Sequence, residues 1–356
     1  MSAESTLATE HRPPGSASRC RWRLAKRGLT VLFFVAVLGL IANQAVKIDW
    51  GAVLDSIRTY APRTLLIAAG FALASHAVYC TYDLIGRHQM RHGLPIARVA
   101  GVGLVSYAFN LNLGSLVGGV AFRYRLYSRL GLPTDVTTQV LVLSMLTNWL
   151  GYLFVGGLVF TFEPIALPPD WKIGSDGLRV LGVAMLLFVA GYLGACAGAT
   201  RREWTLRGRV VRLPSGRIAA LQLFVSSANW LIIAAILYTL LQRRIDYPTV
   251  LSVLLVAAVA GVITHVPAGL GVLEAVFVAL LSHRMPQHEL LAALLSYRAI
   301  YYLAPLTIAS ALFLFIDRTT PARRSLPTPD SESSDAPTAA GGARLPSHAS
   351  RRKAMK

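Results

Sequence analysis

The sequence predicts an all-α fold: a polytopic membrane bundle with about six full spans and two re-entrant helical hairpins. The 356 residues are 54% hydrophobic and only 15% charged, and the charges lie mostly between apolar runs. Several of those runs reach the ~20 apolar residues that a helix needs to cross a bilayer. Two other runs are interrupted by glycine, proline or asparagine. Eight conventional spans are the alternative, because they too leave both termini on one side.

The chain divides into a basic arm over residues 1–27, an apolar domain over residues 28–316 and a polar tail over residues 317–356. The tail is rich in Ser, Pro, Ala and Arg without apolar periodicity, a composition typical of disorder. The first apolar run, Gly28–Val46, follows the basic arm. It is longer than the apolar core of a signal peptide and has no convincing cleavage site, so we expect an uncleaved first span.

Basic residues orient the spans through the positive-inside rule. The loop after span two, Arg63–Tyr82, carries three arginines and two histidines without any acid after Asp83, so we place it and the N-terminus in the cytoplasm. Residues 201–217 hold six arginines against one glutamate and form a second cytoplasmic loop. Arg243 and Arg244 fit their expected outer loop poorly. The remaining full spans are Val136–Phe162, Gly177–Thr200, Ile218–Leu241 and Glu289–Ile316.

The first interrupted segment is Val99–Val120, whose middle carries two asparagines, a glycine and a serine over residues 110–115. It leads into Arg123, Arg125 and Arg129, which a full span would place outside, against the positive-inside rule. A hairpin that enters and leaves on the cytoplasmic side removes this conflict. We therefore predict a re-entrant hairpin here.

The second interrupted segment is Tyr247–Ser282, which Pro267, Gly269 and Gly271 should divide into two half-helices. The apolar stretches on either side are about 15 and about ten residues long, and each is shorter than a spanning helix. Unsatisfied backbone in lipid is costly, so such a break persists only inside protein or beside a water-filled cavity. Two interrupted segments in comparable positions also indicate a transporter with a midplane binding site.

Residues in the interrupted segments and the last span resemble the lysylphosphatidylglycerol synthase transmembrane (flippase-like) family. The residues are Pro267-Ala-Gly-Leu-Gly271, Glu274, Arg298, Pro305, and Gly114–Gly119 leading to Arg123. The resemblance covers about Thr30–Phe315 and implies a stand-alone inner-membrane member that moves or handles phospholipids. It does not imply aminoacylation of lipid, because the synthase activity belongs to a separate soluble domain for which this chain has no room.

Glu274 and Arg298 are ionisable residues inside apolar segments, and each has a structural and a functional interpretation. Glu274 falls in the first turn of the half-helix after Gly271, where it can offset the positive helix end, pair with Arg298 or bind a cation on a substrate. Arg298 can pair with Glu274 or hold a lipid phosphate bidentately. Because burying such a group costs roughly 2.5 to 3.5 kcal/mol on insertion scales, we predict that both contact substrate.

The other predicted substrate contacts are Pro267, Gly269, Gly271 and Arg123. The amides of residues 268–271, at the start of a half-helix, can hold a phosphate without any side chain. Arg123 can bind phosphate where the first hairpin leaves the membrane, and ordinary cytoplasmic anchoring is its equal alternative.

No catalytic residue, metal site or cofactor is predicted. His265 stands near Glu274, but no second His or Cys has the spacing of a metal ligand. His76 is expected to be a hydrogen-bonded group inside the bundle. No Gly-x-x-x-x-Gly-Lys run occurs, so energy for transport would come from an ion gradient, or transport would be passive. Three tyrosines near Arg298 either pack between helices or line a cavity: Tyr297, Tyr301 and Tyr302.

The leading hypothesis is a plasma-membrane lipid translocase or lipid-handling transporter whose partners are a phospholipid or other anionic lipid and the bilayer. The net charge of +18 is assigned to loops facing anionic headgroups, so no nucleic-acid partner is expected. One rival is a membrane-embedded enzyme that acts on a lipid-linked substrate with Glu274 or His265 as the acid–base group. The other is an accessory scaffold for a lipid-synthesis enzyme.

Overall fold

The computed structural model describes residues 50–163, 174–199, 203–206, 209–264, 266 and 269–319. The predicted first span, the basic arm and the tail after residue 319 lie outside the described residues. The helices are α1 (Trp50–Arg58), α2 (Pro62–Met90), α3 (Ile96–Leu113), α4 (Phe122–Arg129), α5 (Thr134–Phe162), α6 (Ser175–Gly198), α7 (Gly216–Leu240), α8 (Tyr247–Thr264), α9 (Val272–Leu281), α10 (Gln287–Tyr297) and α11 (Ala304–Thr319). The described residues also contain two stretches of π-helix. We call Ser115–Ala121 the first π segment and Arg298–Leu303 the second π segment.

The predicted all-α membrane bundle is confirmed. Within the described residues, seven helical stretches are long and apolar enough to cross a membrane. Five of them correspond to predicted full spans, and the continuous run from α10 through the second π segment into α11 is one of these five. The other two, α3 and α8, are the first arms of the predicted hairpins.

Helix α2 is longer than the sequence predicts. It begins with Pro62 in its first turn, where the missing amide proton costs nothing, and it ends only at Arg91, which adopts left-handed backbone with φ of 52°. The predicted end at Tyr82 is wrong because Asp83 is neutralised inside the bundle and does not mark a loop. The additional two turns carry Asp83 into the protein interior.

Two short elements are absent from the sequence prediction. An antiparallel hairpin of β1 (Glu203–Leu206) and β2 (Arg209–Arg212) lies in the basic loop between α6 and α7. Helix α1 occupies the loop of mixed charge before α2, and its Val53 is buried against Leu291 and Ala292 of α10. Val53 and the partly buried Ile57 of the same cluster anchor this helix, whose charged residues Asp55 and Arg58 are exposed.

Helix α5 packs against α2, α6 and α7 near the centre of the described bundle. A Cβ atom at Gly151 would lie 2.4 Å from the carbonyl carbon of Ser226, so α5 and α7 approach each other closely through a residue without a side chain. Large apolar side chains point outward all around the bundle, as expected for a surface that faces lipid. Among the most exposed are Leu66, Leu73, Phe162, Val180 and Phe224.

The first interrupted segment is a helical hairpin. The chain reverses at Gly114, whose φ is 82°, and the first π segment and α4 return along α3. The ring of Phe109 stacks on the ring of Phe122 at 4.1 Å, which fixes the register of the two arms. A Cβ atom at Gly118 would lie 2.1 Å from the carbonyl carbon of Phe109, so the returning arm touches the α3 backbone directly.

The second interrupted segment is also a hairpin, in which α9 packs against α8. Gly269 and Gly271 have φ values of 57° and 78°, a left-handed conformation that glycine adopts without steric cost. Helix α9 starts immediately afterwards at Val272. Pro267 lies outside the described residues, so its predicted part in the break stays a prediction.

Candidate functional site

An ion pair between Arg298 and Glu274 stands at the break of the second hairpin. Arg298 Nε donates to Glu274 Oε1, and Nη2 donates to Glu274 Oε2 at 3.0 Å. Nη2 also donates to the carbonyl oxygen of Gly269 at 3.0 Å. The pair therefore ties the last span to both sides of the broken turn.

Local structure explains this placement of both side chains. Glu274 lies in the first turn of α9, where the positive end of the helix dipole favours a carboxylate. Arg298 opens the second π segment, a wide helical turn of a kind that is frequent at functional sites. The guanidinium carbon of Arg298 lies 5.2 Å from the centre of the Tyr302 ring, a cation–π distance.

The ion pair is only partly buried. The side chains of Arg298 and Glu274 are 13% and 17% exposed, which leaves a face of each open to an incoming polar group. A guanidinium with two bonds to carboxylate and one to a carbonyl has the fork geometry that also matches phosphate.

A cavity of about 200 Å³ lies beside this pair, between the two hairpins and the spanning helices. Its wall combines six aromatic and six aliphatic residues with two asparagines and Gly269 of the broken turn. No side chain with a formal charge lines it within the described part of the chain. The aromatic and amide lining residues are Tyr79, Tyr107, Asn110, Asn148, Trp230, Tyr297, Tyr301 and Tyr302.

Four cavity-lining residues flank the ion pair in sequence. Gly269 and Leu273 precede Glu274, and Tyr297 and Tyr302 lie on either side of Arg298. The pair consequently lies at the edge of the cavity.

Arg123 makes a second ion pair, with Asp83, that is sealed inside the bundle. Arg123 Nε and Nη2 donate to the Asp83 carboxylate at 3.0 to 3.2 Å, and Tyr127 donates to Asp83 Oδ2 at 3.0 Å. Arg123 Nη1 donates to the carbonyl oxygen of Gly119, and Nη2 also donates to Ser144 Oγ. The side chains of Arg123 and Asp83 are 2% and 0% exposed.

This geometry indicates a structural role for Arg123. Its guanidinium is held on three sides and lies outside the cavity wall, so we do not retain it as a phosphate contact. Sequence reasoning missed its partner Asp83 because that residue was taken to belong to a loop. One feature of the sequence could have indicated that the helix continues: after Tyr82 no glycine or proline occurs before Gly86.

The predicted glycine contacts divide between two roles. Gly269 lines the cavity, but its amide donates to the carbonyl oxygen of Val266 at 3.0 Å and is not oriented as a free phosphate donor. Gly271 is the residue that caps α9 and is not in the cavity wall. Pro267, Ala268 and His265 lie outside the described residues, so the predicted amide cradle remains a prediction.

A chain of hydroxyl and amide groups behind the cavity wall was also missed. Tyr107 and Tyr301 join their hydroxyls at 2.7 Å, and Ser75 Oγ lies 2.8 Å from the Tyr301 hydroxyl. Ser75 Oγ also donates to Asn229 Oδ1 at 2.7 Å. These residues are isolated in the sequence, and only the packing of α2, α3, α7 and the second π segment brings them together.

The fold and the site define a polytopic helical membrane protein with an accessible ion pair at a broken helix beside an interior cavity. The family described as Lysylphosphatidylglycerol synthase TM region matches residues 28–309, and the chain belongs to this family. The resemblance noted in the sequence is thereby confirmed.

Individual relatives match along different shares of their length. The chain is 45% identical over 303 residues to the inner membrane protein YbhN of Escherichia coli (strain K12), and the alignment covers 85% of this chain and 95% of that protein. It is 29% identical over 291 residues to the uncharacterized protein slr0712 of Synechocystis, and this alignment covers 81% of this chain and 90% of that protein. The phosphatidylglycerol lysyltransferase of Staphylococcus haemolyticus is 25% identical over 80% of this chain, but only 33% of that enzyme is matched.

Proposed function

We propose that this protein is an inner-membrane phospholipid translocase or lipid-handling transporter in which Arg298 holds the phosphate of a headgroup. The observation that carries the proposal is the partly exposed Arg298–Glu274 pair at the edge of the interior cavity. An ionisable residue inside a membrane segment is costly and is by default a functional candidate. Both termini lie in the cytoplasm in this proposal, as the positive-inside rule predicts.

The size and lining of the cavity favour a headgroup over a whole lipid. About 200 Å³ is below the range of roughly 300 to 1,000 Å³ typical of drug-sized ligand sites, and the acyl chains would stay in the bilayer. Asn110 and Asn148 supply amide groups for the hydroxyls of a headgroup, while the aromatic rings exclude bulk water. Movement of one hairpin against the spanning helices would then open the cavity toward either leaflet.

Glu274 has a defined part in this cycle. Without a headgroup it neutralises Arg298, so that the empty cavity holds no unpaired charge. A phosphate would compete with Glu274 for the same guanidinium fork. In the alternative, Glu274 binds an amine on the headgroup while Arg298 holds the phosphate.

The names of the relatives support phospholipid as the substrate class. One relative is named a phosphatidylglycerol lysyltransferase, and phosphatidylglycerol carries a single phosphate with hydroxyl groups. Because the match covers one third of that enzyme, its transferase activity is not assigned to this chain. We propose a non-enzymatic role, with a lipid-synthesis enzyme as the protein partner to test by co-purification.

A leaflet-resolved assay in proteoliposomes tests this proposal. Headgroup-labelled phosphatidylglycerol and phosphatidylethanolamine are followed with wild type, Arg298→Ala and Glu274→Ala at matched reconstitution. Arg58→Ala serves as the control, because it removes an exposed arginine whose ion pair among the described residues is with Asp55 on the surface. We expect translocation by wild type and the control, with at least about a tenfold loss in the two site variants, equivalent to about 1.4 kcal/mol.

Two results would count against the proposal. Equal translocation by wild type and both site variants would remove the ion pair from the mechanism. Chemical conversion of a lipid without change of leaflet would favour the membrane-embedded enzyme instead.

A further inference from the structure

His76 of α2 presents a basic nitrogen without a partner in the middle of the bundle. The residue is 3% exposed, and its Nδ1 lies 2.9 Å from the carbonyl oxygen of Ala72. Because a carbonyl only accepts, Nδ1 carries the proton, and Nε2 of the neutral ring holds a lone pair. Nε2 is buried and has no hydrogen-bond partner in the described part of the chain.

The wall of the cavity separates His76 from the headgroup site. The imidazole ring lies 5.1 Å from the ring of Tyr107 on α3 and 5.0 Å from the ring of Tyr301 on the second π segment, and both tyrosines line the cavity. These are the titratable groups that face it from other elements in the described structure. From α7, the neutral amide of Asn229 accepts a hydrogen bond from Ser75 through its Oδ1.

In the described part of the chain, the two buried or partly buried ion pairs nearest the cavity are each neutral before a headgroup enters. Arg298 is neutralised by Glu274, and Arg123 is neutralised by Asp83. A lipid phosphate therefore brings one unpaired negative charge into a low-dielectric interior, at a cost of several kcal/mol. One additional positive charge close to the cavity would remove most of that cost.

We propose that His76 Nε2 is a proton-binding site that takes up one proton with each anionic headgroup. The inference rests on the proposed function and names its coupling ion. The proton comes from water on the side where the cavity opens and binds the Nε2 lone pair. The resulting imidazolium carries the balancing positive charge next to the faces and edges of two tyrosine rings. The proton returns to water when the cavity opens to the other side.

Among the residues that the structure describes, Glu274 is another group that could bind this proton, and its geometry disfavours it. Both of its oxygens accept hydrogen bonds from Arg298, so protonation would break an existing ion pair. His76 loses no hydrogen bond on protonation, because Nδ1 keeps its bond to Ala72 and the vacant Nε2 gains the proton.

The first test reads proton binding directly and does not depend on transport. The reconstituted protein, with ¹⁵N-labelled histidine and phosphatidylglycerol present, is studied by solid-state NMR between about pH 8 and about pH 5. The His76 signal is assigned as the one of eight that is lost in both His76→Gln and His76→Phe. We expect a neutral ring protonated at Nδ1 at the alkaline end and an imidazolium at the acidic end. A ring that stays neutral down to about pH 5 would overturn the proposal.

The second test uses the steady leaflet distribution of trace labelled phosphatidylglycerol under a pH gradient of about two units, with the membrane potential clamped at zero. Passive translocation ends at a ratio of 1 to 1, whereas one proton per lipid sustains up to about 100 to 1 in favour of the alkaline side, tenfold for each pH unit. We expect this asymmetry in wild type and in His283→Gln, a control at an exposed histidine.

With His76→Gln, labelled phosphatidylglycerol should reach a leaflet ratio near 1 to 1 whatever the pH gradient. An asymmetry that persists in His76→Gln, or a wild-type ratio that ignores the gradient while translocation proceeds, would overturn the coupling. Absence of any translocation by wild type would instead defeat the proposed function, and the NMR titration would still decide whether His76 binds a proton.

Discussion

The two helical hairpins carry the same chemical motif in two different environments. In each, an arginine beside a π segment pairs with a carboxylate and donates to the carbonyl oxygen of a glycine in the hairpin. The Arg123–Asp83 pair is closed off by Tyr127 and Ser144. The Arg298 and Glu274 side chains are 13% and 17% exposed, and residues on either side of them line the cavity.

The difference shows that an intramembrane ion pair is not in itself a functional site. A sealed pair with every bond satisfied joins elements, here α2 and the first hairpin, and is sensitive to the loss of either partner. A pair with open faces can exchange partners with a ligand. Access to the pair, more than its presence, is therefore the reason why we propose a functional role for the second hairpin.

The largest expected effect is on the sealed pair. Asp83→Ala leaves Arg123 charged and buried, which typically costs about 3 to 5 kcal/mol of folding free energy. We expect a large fall in the midpoint of thermal unfolding in detergent, or loss of folded protein. The double variant Asp83→Leu, Arg123→Met should recover much of that loss, because no unpaired charge remains. A double variant as unstable as the single one would contradict the structural role.

The next effect separates function from stability at the open pair. Arg298→Lys keeps the positive charge but loses the bidentate fork, so we expect translocation to fall about tenfold while the unfolding midpoint moves less than in Asp83→Ala. Both quantities are measured on the same purified samples. A fall in stability as large as that of Asp83→Ala, with normal translocation by the folded fraction, would make the two pairs equivalent.

One glycine in each hairpin offers a further comparison: Gly118 in the returning arm of the first and Gly269 at the break of the second. Gly118→Ala places a Cβ atom 2.1 Å from the carbonyl carbon of Phe109, so the arms of the first hairpin must separate. Gly269→Ala meets no atom within 4 Å but must hold φ of 57°, a strain of about 1 kcal/mol. We expect Gly118→Ala to unfold at a clearly lower temperature in detergent than Gly269→Ala. The reverse order would mean that the first hairpin is less tightly packed than its contacts indicate.

An exposed ion pair supplies the smallest expected effect. Asp246 accepts from the Thr249 amide at 3.0 Å and from Arg284 at 3.1 Å, in the loop before α8. The hydrogen bonds from Thr249 lower the pKa of Asp246, and the positive charge of Arg284 acts in the same direction. The carboxylate therefore stabilises the fold above its ordinary pKa, and this contribution is lost as pH falls through the lowered pKa.

Asp246→Asn should accordingly lower the unfolding midpoint only slightly at neutral pH. Asparagine can still accept from the Thr249 amide as a helix cap, so the loss is that of the exposed pair with Arg284, typically about 0.2 to 1 kcal/mol. The difference from wild type should shrink in strong acid, where both side chains are uncharged. A midpoint difference that is constant from neutral to strongly acidic pH would show that charge at this position does not matter.

Much of the fold could be predicted from the sequence because lipid imposes simple rules. Apolar length predicted the spans that the structure describes, and the glycines Gly114, Gly269 and Gly271 in the interrupted runs stand at the two reversals. The position of Glu274 in the first turn of α9 followed from Gly271, the residue that starts that helix. Helix α1 and the β1–β2 hairpin were missed because short elements outside the membrane obey weaker local rules.

The candidate site was predicted only in part. Arg298 and Glu274 were found because charge is rare inside apolar runs. Asp83 was missed at the end of its run, where a charge is ordinary. Tyr297, Tyr301 and Tyr302 line the cavity, which is one of the two uses predicted for them. The rest of the wall was not predicted, because its residues come from separate helices and share no pattern along the chain until packing brings them together.

The sequence by itself determined that this chain forms a membrane bundle with two broken segments, since the bilayer filters segments by apolar length and by backbone hydrogen bonding. Only the tertiary structure decided which arginine is accessible. Arg123 and Arg298 look alike along the chain, and their exposure depends on neighbours from distant elements: Asp83, Tyr127 and Ser144 around one, and a cavity beside the other. Burial is a property of packing, which no local pattern of residues encodes.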